Sequence, residues 1–176
     1  DDIQPLSRVE SGAIQLHFHT VDLAPLIQQT TANSQPQALA KQITLTFTPP
    51  STPVHSYIDS DRTAQILTNL VGNALRYTPE GGQVIVALQE NPADHTAVIT
   101  ITDTGIGIPQ DALPYIFERF YRVDDSRSRQ SGGSGVGLTI SRHLAWSMGG
   151  ELTADSPGSG RGTTFTLTLP LTLLTP

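Results

Sequence analysis

The sequence predicts an α+β protein, a two-layer sandwich of helices and a sheet. The chain has 176 residues, of which 37% are hydrophobic and 15% are charged. This composition suits one soluble domain with its own hydrophobic core. Strand-like and helix-like segments follow each other without the strict strand–helix–strand repeat of a doubly wound sheet, so a sandwich fits better.

In the first half of the chain, the spacing of apolar residues predicts three strands and two helices. Asp22 can cap a first helix that ends near Lys41, and Pro36 is expected to kink or interrupt it. A second helix, with one apolar and one polar face, is predicted from about Ser60 to Tyr77. The predicted strands are 14–21, 43–48 and 54–58.

The second half predicts two pairs of strands with helical segments between the pairs. The first pair, QVIVALQE and AVITITD, forms an apparent hairpin, and the second pair is ELTADS and TTFTLTLPL. Between them the sequence predicts a short helix near 109–117, a polar loop over 123–134 and a helix from about Val136 to Met148.

Composition excludes several kinds of site. The absence of cysteine removes disulfides, thiolate nucleophiles, cysteine-based zinc sites and iron–sulfur clusters. The net charge of −6 argues against a generic nucleic-acid surface. The only lysine, Lys41, does not stand in a P-loop motif, so a phosphate site would need arginine, backbone amides and a metal. Because the only methionine is Met148, we expect a fragment or a processed chain.

Two asparagines lie on the polar face of the second helix. Asn69 and Asn73 are four residues apart, so their amides project side by side, with Arg76 on the same arc. This face could simply be solvated. Alternatively, the amide oxygens could serve a magnesium and phosphate site, because magnesium prefers oxygen ligands and takes only one or two of them from protein.

The segment AVITITDTGIGIP places an acid at the end of an apolar strand. Asp103 could accept a hydrogen bond from an exocyclic amine such as that of adenine, or it could be an ordinary turn residue. Gly105 and Gly107 would let the backbone approach a flat ring closely. The Rossmann fingerprint is absent, because Gln110 stands where its third glycine would be.

A glycine-rich segment, SGGSGVGLTISRHL, opens the last helix. Exposed amides at the positive end of a helix make an anion site, and a flexible linker is the alternative. A nucleophile elbow does not fit, because Val136 replaces its last glycine.

Taken together, these segments resemble the ATP-binding catalytic domain of bacterial sensor histidine kinases, in the GHKL superfamily. NLVGNALRYTP resembles the asparagine box, DTGIGIP the first glycine box, and IFERFYRVDDSRSR the phenylalanine box with the start of the ATP lid. GGSGVGLTIS resembles the second glycine box, and GRGTTFTLTLP the closing glycine–strand element. The motifs stand in the order and spacing of the family.

The resemblance implies a Bergerat-type α/β sandwich, with a mixed sheet faced by three helices. Residues 1–12 would be the tail of an upstream dimerisation helix or linker. Residues 13–176 would form the ATP-binding catalytic domain, with the ATP lid at about 121–135. The domain would bind ATP and Mg²⁺ and donate the γ-phosphoryl group to a histidine.

The resemblance also assigns roles to individual residues. Asn73 would ligate magnesium, and Asn69 would lie beside the phosphates. Arg76 and Tyr77 would lie near the phosphates as well, although lysine is commoner in the family at the first of these positions. Asp103 would read the adenine amine.

Further positions follow from the same motifs. Arg122 could reach the γ-phosphate, and it makes up the expected catalytic set with Asn69 and Arg76. The other positions expected to contact the nucleotide are Gly105, Gly107, Ile108, Phe117, Gly133, Gly135, Val136, Gly137, Leu138 and Thr164.

One family element is missing, the phosphoacceptor histidine followed by an acid. The acceptor is therefore expected on the protein's own dimerisation domain, upstream of this chain. The resemblance implies a homodimeric parent, a monomeric fragment, a response regulator as partner and no nucleic acid. It implies a cytoplasmic domain, whether or not the parent is an inner-membrane sensor. The alternatives are another GHKL ATPase, such as an anti-sigma serine kinase, and a non-catalytic nucleotide-binding module.

Overall fold

The structure is a computed structural model that describes residues 15–118 and 137–173. The strands in these stretches are β1 (His19–Asp22), β2 (Thr44–Phe47), β3 (His55–Ile58), β4 (Gln83–Asn91), β5 (Thr96–Asp103), β6 (Glu151–Asp155) and β7 (Thr163–Pro170). The helices are α1 (Leu23–Ala40), α2 (Ser60–Tyr77) and α3 (Gly137–Ser147), and a 3-10 turn covers Leu113–Tyr115. None of the helices described is long and apolar enough to cross a membrane.

Five of these strands form one mixed sheet in the order β2–β4–β5–β7–β6. β2 runs parallel to β4, whereas the other neighbouring pairs are antiparallel, and β1 and β3 form a separate antiparallel pair. All three helices contact strands of the larger sheet. Along β5, Ile99 and Ile101 are buried while Thr102 is exposed, so the helices cover one face. The predicted α+β sandwich, with a mixed sheet faced by three helices, is confirmed.

Helix α2 is fixed at its start by Asp59. One carboxylate oxygen accepts the N–H of Arg62 at 3.0 Å, and the other accepts the N–H of His17 at 2.9 Å. Burial raises the pKa of Asp59, but the backbone hydrogen bonds outweigh that effect and leave the pKa lowered. The ionised carboxylate therefore stabilises the start of the helix, and this contribution is lost as the pH falls through the lowered pKa.

The end of α2 is fixed by the only lysine of the chain. The Nζ of Lys41 donates to the carbonyl oxygens of Leu75 at 2.8 Å, Arg76 at 3.2 Å and Thr78 at 2.8 Å. These three bonds use all three donors of the ammonium group on carbonyls at the end of the helix. The lysine therefore ties the end of α1 to the end of α2. This structural role explains why a lysine stands at position 41.

Helix α1 continues through Pro36, so the interruption allowed for at this proline is absent. Proline cannot donate to the carbonyl four residues earlier, which belongs to Ala32. Both residues are exposed, so water can bind that carbonyl instead.

Two other elements are shorter than predicted. Residues 15–18 do not join β1. The helix predicted near 109–117 is reduced to the 3-10 turn, in a segment where Pro109 and Pro114 both lack an N–H. The predicted tail 1–12 and the lid at about 121–135 lie outside the described residues.

Candidate nucleotide-binding site

Three chain segments meet at one edge of the sheet: the end of α2, the loop after β5 and the loop between β6 and β7. The N–H of Ile106 donates to the carbonyl of Tyr77 at 3.1 Å. The N–H of Gly162 donates to the carbonyl of Gly105, also at 3.1 Å. These backbone bonds place the polar end of α2 beside the DTGIGIP segment that the sequence singles out.

Asp103 is the buried acid of this edge. It ends β5 opposite Thr163 and is 6% exposed. Burial raises the pKa of its carboxyl group, and hydrogen bonds from the backbone N–H groups of Gly105, at 2.8 Å, and Thr163 offset this only in part. An ionised carboxylate has about four lone-pair sites, so two backbone donors leave room for a further donor. A buried carboxylate with a raised pKa is typical of a functional site.

Two glycines of this loop are required by contacts between backbone segments. A Cβ atom on Gly105 would come within 3.0 Å of the carbonyl of Tyr77 and of the carboxylate of Asp103. A Cβ atom on Gly107, whose φ is +70°, would overlap the carbonyl of Gly158. Close packing of the protein on itself is therefore enough to explain both glycines, and their contact with a base stays a prediction.

The two asparagines on the polar face of α2 have different surroundings. The Nδ2 of Asn69 donates to the hydroxyl of Ser141, a fully buried residue of α3, at 3.1 Å. Asn73 lies one turn further on and is half-buried, and no hydrogen bond joins its side chain to another residue of the described stretches. Arg76 is exposed, and Tyr77 is half-buried. Asn69 thus fixes α2 to α3, while Asn73 and Arg76 have polar groups to offer a ligand.

Phe117 is held from three sides. Its carbonyl accepts the hydroxyl of Thr139 at 2.7 Å. The guanidinium of Arg142 lies 4.7 Å from the centre of its ring, and Phe165 meets the ring edge-on at 6.3 Å. The residue therefore joins the loop before the undescribed segment to α3 and to the sheet.

Thr164, expected among the nucleotide-binding residues, lies on the opposite face of the sheet from Asp103. It pairs with Thr102 across the strands, and the two hydroxyl oxygens are 3.2 Å apart. The neighbouring residue, Thr163, is the one that donates to Asp103.

The other expected contacts are placed as follows. Ile108 and Leu138 pack against the hydrophobic core, and Gly137 is exposed at the start of α3. Four expected positions lie outside the described residues: Arg122, Gly133, Gly135 and Val136.

Sequence reasoning missed two buried serines that support this edge. Ser141 binds Asn69, and Ser156 binds the loop after β5. Their partners are 72 and 48 residues away in the chain. Ser156 stands before a proline–glycine stretch and reads as an ordinary turn residue, so no local pattern distinguishes it.

Residues 58–173 match the histidine kinase-, DNA gyrase B-, and HSP90-like ATPases. The chain belongs to this family. The match begins after α1, yet Leu23 and Ile27 of that helix are buried in the same core, so the packed unit extends further towards the N-terminus.

Similar proteins of this ATPase family include the sensor histidine kinase WalK of Bacillus subtilis (strain 168), 43% identical over 121 residues, which cover 69% of this chain and 20% of WalK. The sensor histidine kinase GacS of Pseudomonas protegens is 40% identical over 176 residues, which cover 98% of this chain and 19% of GacS. Among solved structures, full-length ShkA in complex with AMPPNP superposes with a TM-score of 0.85 at 29% identity. That likeness covers 99% of this chain and 35% of ShkA, so this chain corresponds to one part of much longer proteins.

The glycines of this ATPase provide a matched pair of substitutions. Gly105→Ala is expected to destabilise the protein by about 1–3 kcal/mol, because the added methyl group overpacks the contact with Tyr77. Gly72→Ala, in the interior of α2, meets nothing within 4 Å and is expected to stabilise the protein by about 0.5–1 kcal/mol. Urea unfolding of both variants measures the two effects. Equal stability of Gly105→Ala and the wild type would contradict the packing described for this edge.

Proposed function

We propose that this ATPase domain is the catalytic domain of a sensor histidine kinase, which binds magnesium-ATP and donates the γ-phosphoryl group to a histidine of a dimerisation domain. The observation that carries the proposal is the buried carboxylate of Asp103, which precedes the loop that binds the end of α2 through Ile106 and Tyr77. A buried acceptor at one end and amide and guanidinium groups at the other suit a ligand with an amine and a phosphate chain.

The base end suits adenine. Asp103 has acceptor capacity beyond its two backbone donors, and the 6-amino group of adenine is a donor. Guanine presents a 6-oxo group at the same position, so an ionised carboxylate would face a second acceptor. The loop after β5, with Gly105 and Gly107, would line the base, as the resemblance implies.

The phosphate end suits Mg²⁺ and a triphosphate. Asn73 offers an amide oxygen, and Arg76 offers a positive charge. Because the amide nitrogen of Asn69 is bound to Ser141, its carbonyl oxygen keeps a fixed direction. When bound, the metal supplies positive charge that offsets the phosphates and orients them. The roles expected of Arg122, Gly133, Gly135 and Val136 at the phosphates belong to the same proposal.

The acceptor and partners complete the proposal. None of the five histidines in the sequence is followed by an acidic residue. We therefore place the acceptor on the dimerisation domain of a homodimeric parent, with a response regulator receiving the phosphoryl group afterwards. The named relatives reported above are sensor histidine kinases, which favours this assignment over a serine kinase or a gyrase-like ATPase.

The first test is phosphoryl transfer. Alone with magnesium-ATP, the chain should form no phosphohistidine, because transfer needs an acceptor in line with the γ-phosphate. The parent's dimerisation domain, added as a separate chain, should become labelled at a rate that depends on its concentration. Radiolabelled γ-phosphate and acid lability report the product. Acid-labile label on the chain alone would refute the assignment of the acceptor, and acid-stable label would indicate a serine or threonine kinase.

The second test concerns magnesium. Calorimetry should show tight binding of ATP with Mg²⁺ and much weaker binding in EDTA. Asn73→Ala should remove most of this difference, because it deletes the proposed protein ligand of the ion. Asn33→Ala, on the exposed side of α1, is the matched control and should behave like the wild type. A full magnesium effect in Asn73→Ala would show that the ion is held elsewhere.

The third test concerns the base. ATP should bind at least about tenfold more tightly than GTP, because an unpaired buried polar group costs about 1.4 kcal/mol or more. Burial raises the pKa of Asp103 above the ordinary 3.8, so this carboxyl group becomes protonated at a higher pH than an exposed aspartate does. As the pH is lowered, the ATP-to-GTP affinity ratio should therefore begin to fall at that higher pH. Both nucleotides carry the same phosphates, so the ratio cancels their titration.

Two variants complete this test. Asp103→Asn should lower the ratio and flatten its pH profile, whereas Asp155→Asn, an exposed acid at the end of β6, should change neither. Equal affinities for ATP and GTP in the wild-type protein would remove Asp103 from the base site.

A further inference from the structure

Ser156 is a buried polar residue at the crossing of two loops. It follows β6 directly and is 1% exposed. Its hydroxyl oxygen accepts the N–H of Ile108 at 3.0 Å and the N–H of Gly158 at 3.2 Å. Its proton goes to the carbonyl of Gly162 at 2.6 Å, with the carbonyl of Gly158 further away at 3.3 Å. A serine hydroxyl has one donor and two acceptor sites, so the hydrogen-bonding capacity of Ser156 is fully used.

The hydroxyl completes a row of bonds between the loop after β5 and the loop between β6 and β7. In that row, Gly162 donates to Gly105, and Gly160 donates to Ile106. Two residues after Ile106, Ile108 donates its N–H to the Ser156 hydroxyl instead of a backbone carbonyl. These bonds join Gly105, Ile106 and Ile108 to the loop between β6 and β7.

Apolar packing contributes little to holding the second loop. Between Ser156 and Thr163 the sequence reads PGSGRG, which has no large apolar side chain. The loop is therefore positioned by hydrogen bonds, and Ser156 makes more of them than any other side chain described in it. The backbone carbonyl of Ser156 also accepts the Nε2 of Gln110 at 2.6 Å, which adds a contact from the solvent side.

We propose that Ser156 is a positioning residue for recognition of the base. Its hydroxyl holds the loop after β5 in the position in which Asp103 and the backbone that follows it would contact adenine. The inference rests on the proposed function, because it assigns the base to this loop. The phosphate end depends on Asn73 and Arg76 of α2, which Ser156 does not contact, so the two ends of the ligand should respond differently.

The test measures the affinities of the chain for magnesium-ATP, magnesium-GTP and magnesium tripolyphosphate by calorimetry. Ser156→Ala should lower the ATP-to-GTP affinity ratio about tenfold, because the N–H of Ile108 loses its buried partner. Its affinity for tripolyphosphate should stay within about twofold of wild type. Ser147→Ala is the matched control, since that exposed hydroxyl donates only to the carbonyl of His143 in its own helix.

A second variant covers the case in which Ser156→Ala does not fold. Gln110→Ala removes the outer contact to the same residue from an exposed position, and it should lower the ATP-to-GTP ratio about threefold. If Ser156→Ala folds and keeps the wild-type ATP-to-GTP affinity ratio, the inference is overturned. If Ser156→Ala does not fold, a wild-type ratio in Gln110→Ala overturns it. An equal loss of affinity for ATP and for tripolyphosphate in the variant would also overturn it, because that result indicates a general structural role. Failure of the wild-type chain to bind ATP at all would instead refute the proposed function.

Discussion

The arrangement of the candidate site depends on the contact between the end of α2 and the loop after β5. The carbonyl of Tyr77 accepts the N–H of Ile106, and the approach leaves no room for a Cβ atom on Gly105. This contact sets how far Asp103 lies from Asn73. One end of the candidate site belongs to the sheet and the other to a helix, so their separation is fixed only where the two elements touch.

Helix α2 can serve as one side of this contact because both of its ends are fixed. Asp59 binds its first amides, and Lys41 binds its last carbonyls. Each charge has the sign that the dipole of the helix favours at that end. The chain uses its only lysine for this support, so in the proposed site the positive charge near Asn73 would come from exposed Arg76, one turn further along α2.

The spacing of apolar residues along the sequence predicted the helices and strands whose formation depends on neighbouring residues. The amphipathic repeat predicted α2, and alternation placed Asp103 at a strand end, as the structure has it. Strand parity explains why Thr164 and Asp103 lie on opposite faces of the sheet, because a shift of one residue moves a side chain to the other face. Polar contacts between distant residues, such as that of Ser141 with Asn69, leave no repeating pattern in the sequence. They could therefore be found only in three dimensions.

The buried carboxylate connects stability with ligand binding in this ATPase domain. Because folding raises the pKa of Asp103, the folded protein loses stability as the pH rises through the interval between the ordinary value and the raised one. Its two backbone donors reduce this loss without removing it. A third donor from a bound base would reduce it further, and any ligand that binds only the folded state stabilises that state. In the proposed site, the acid that destabilises the empty fold is thus the same group that would favour a bound adenine.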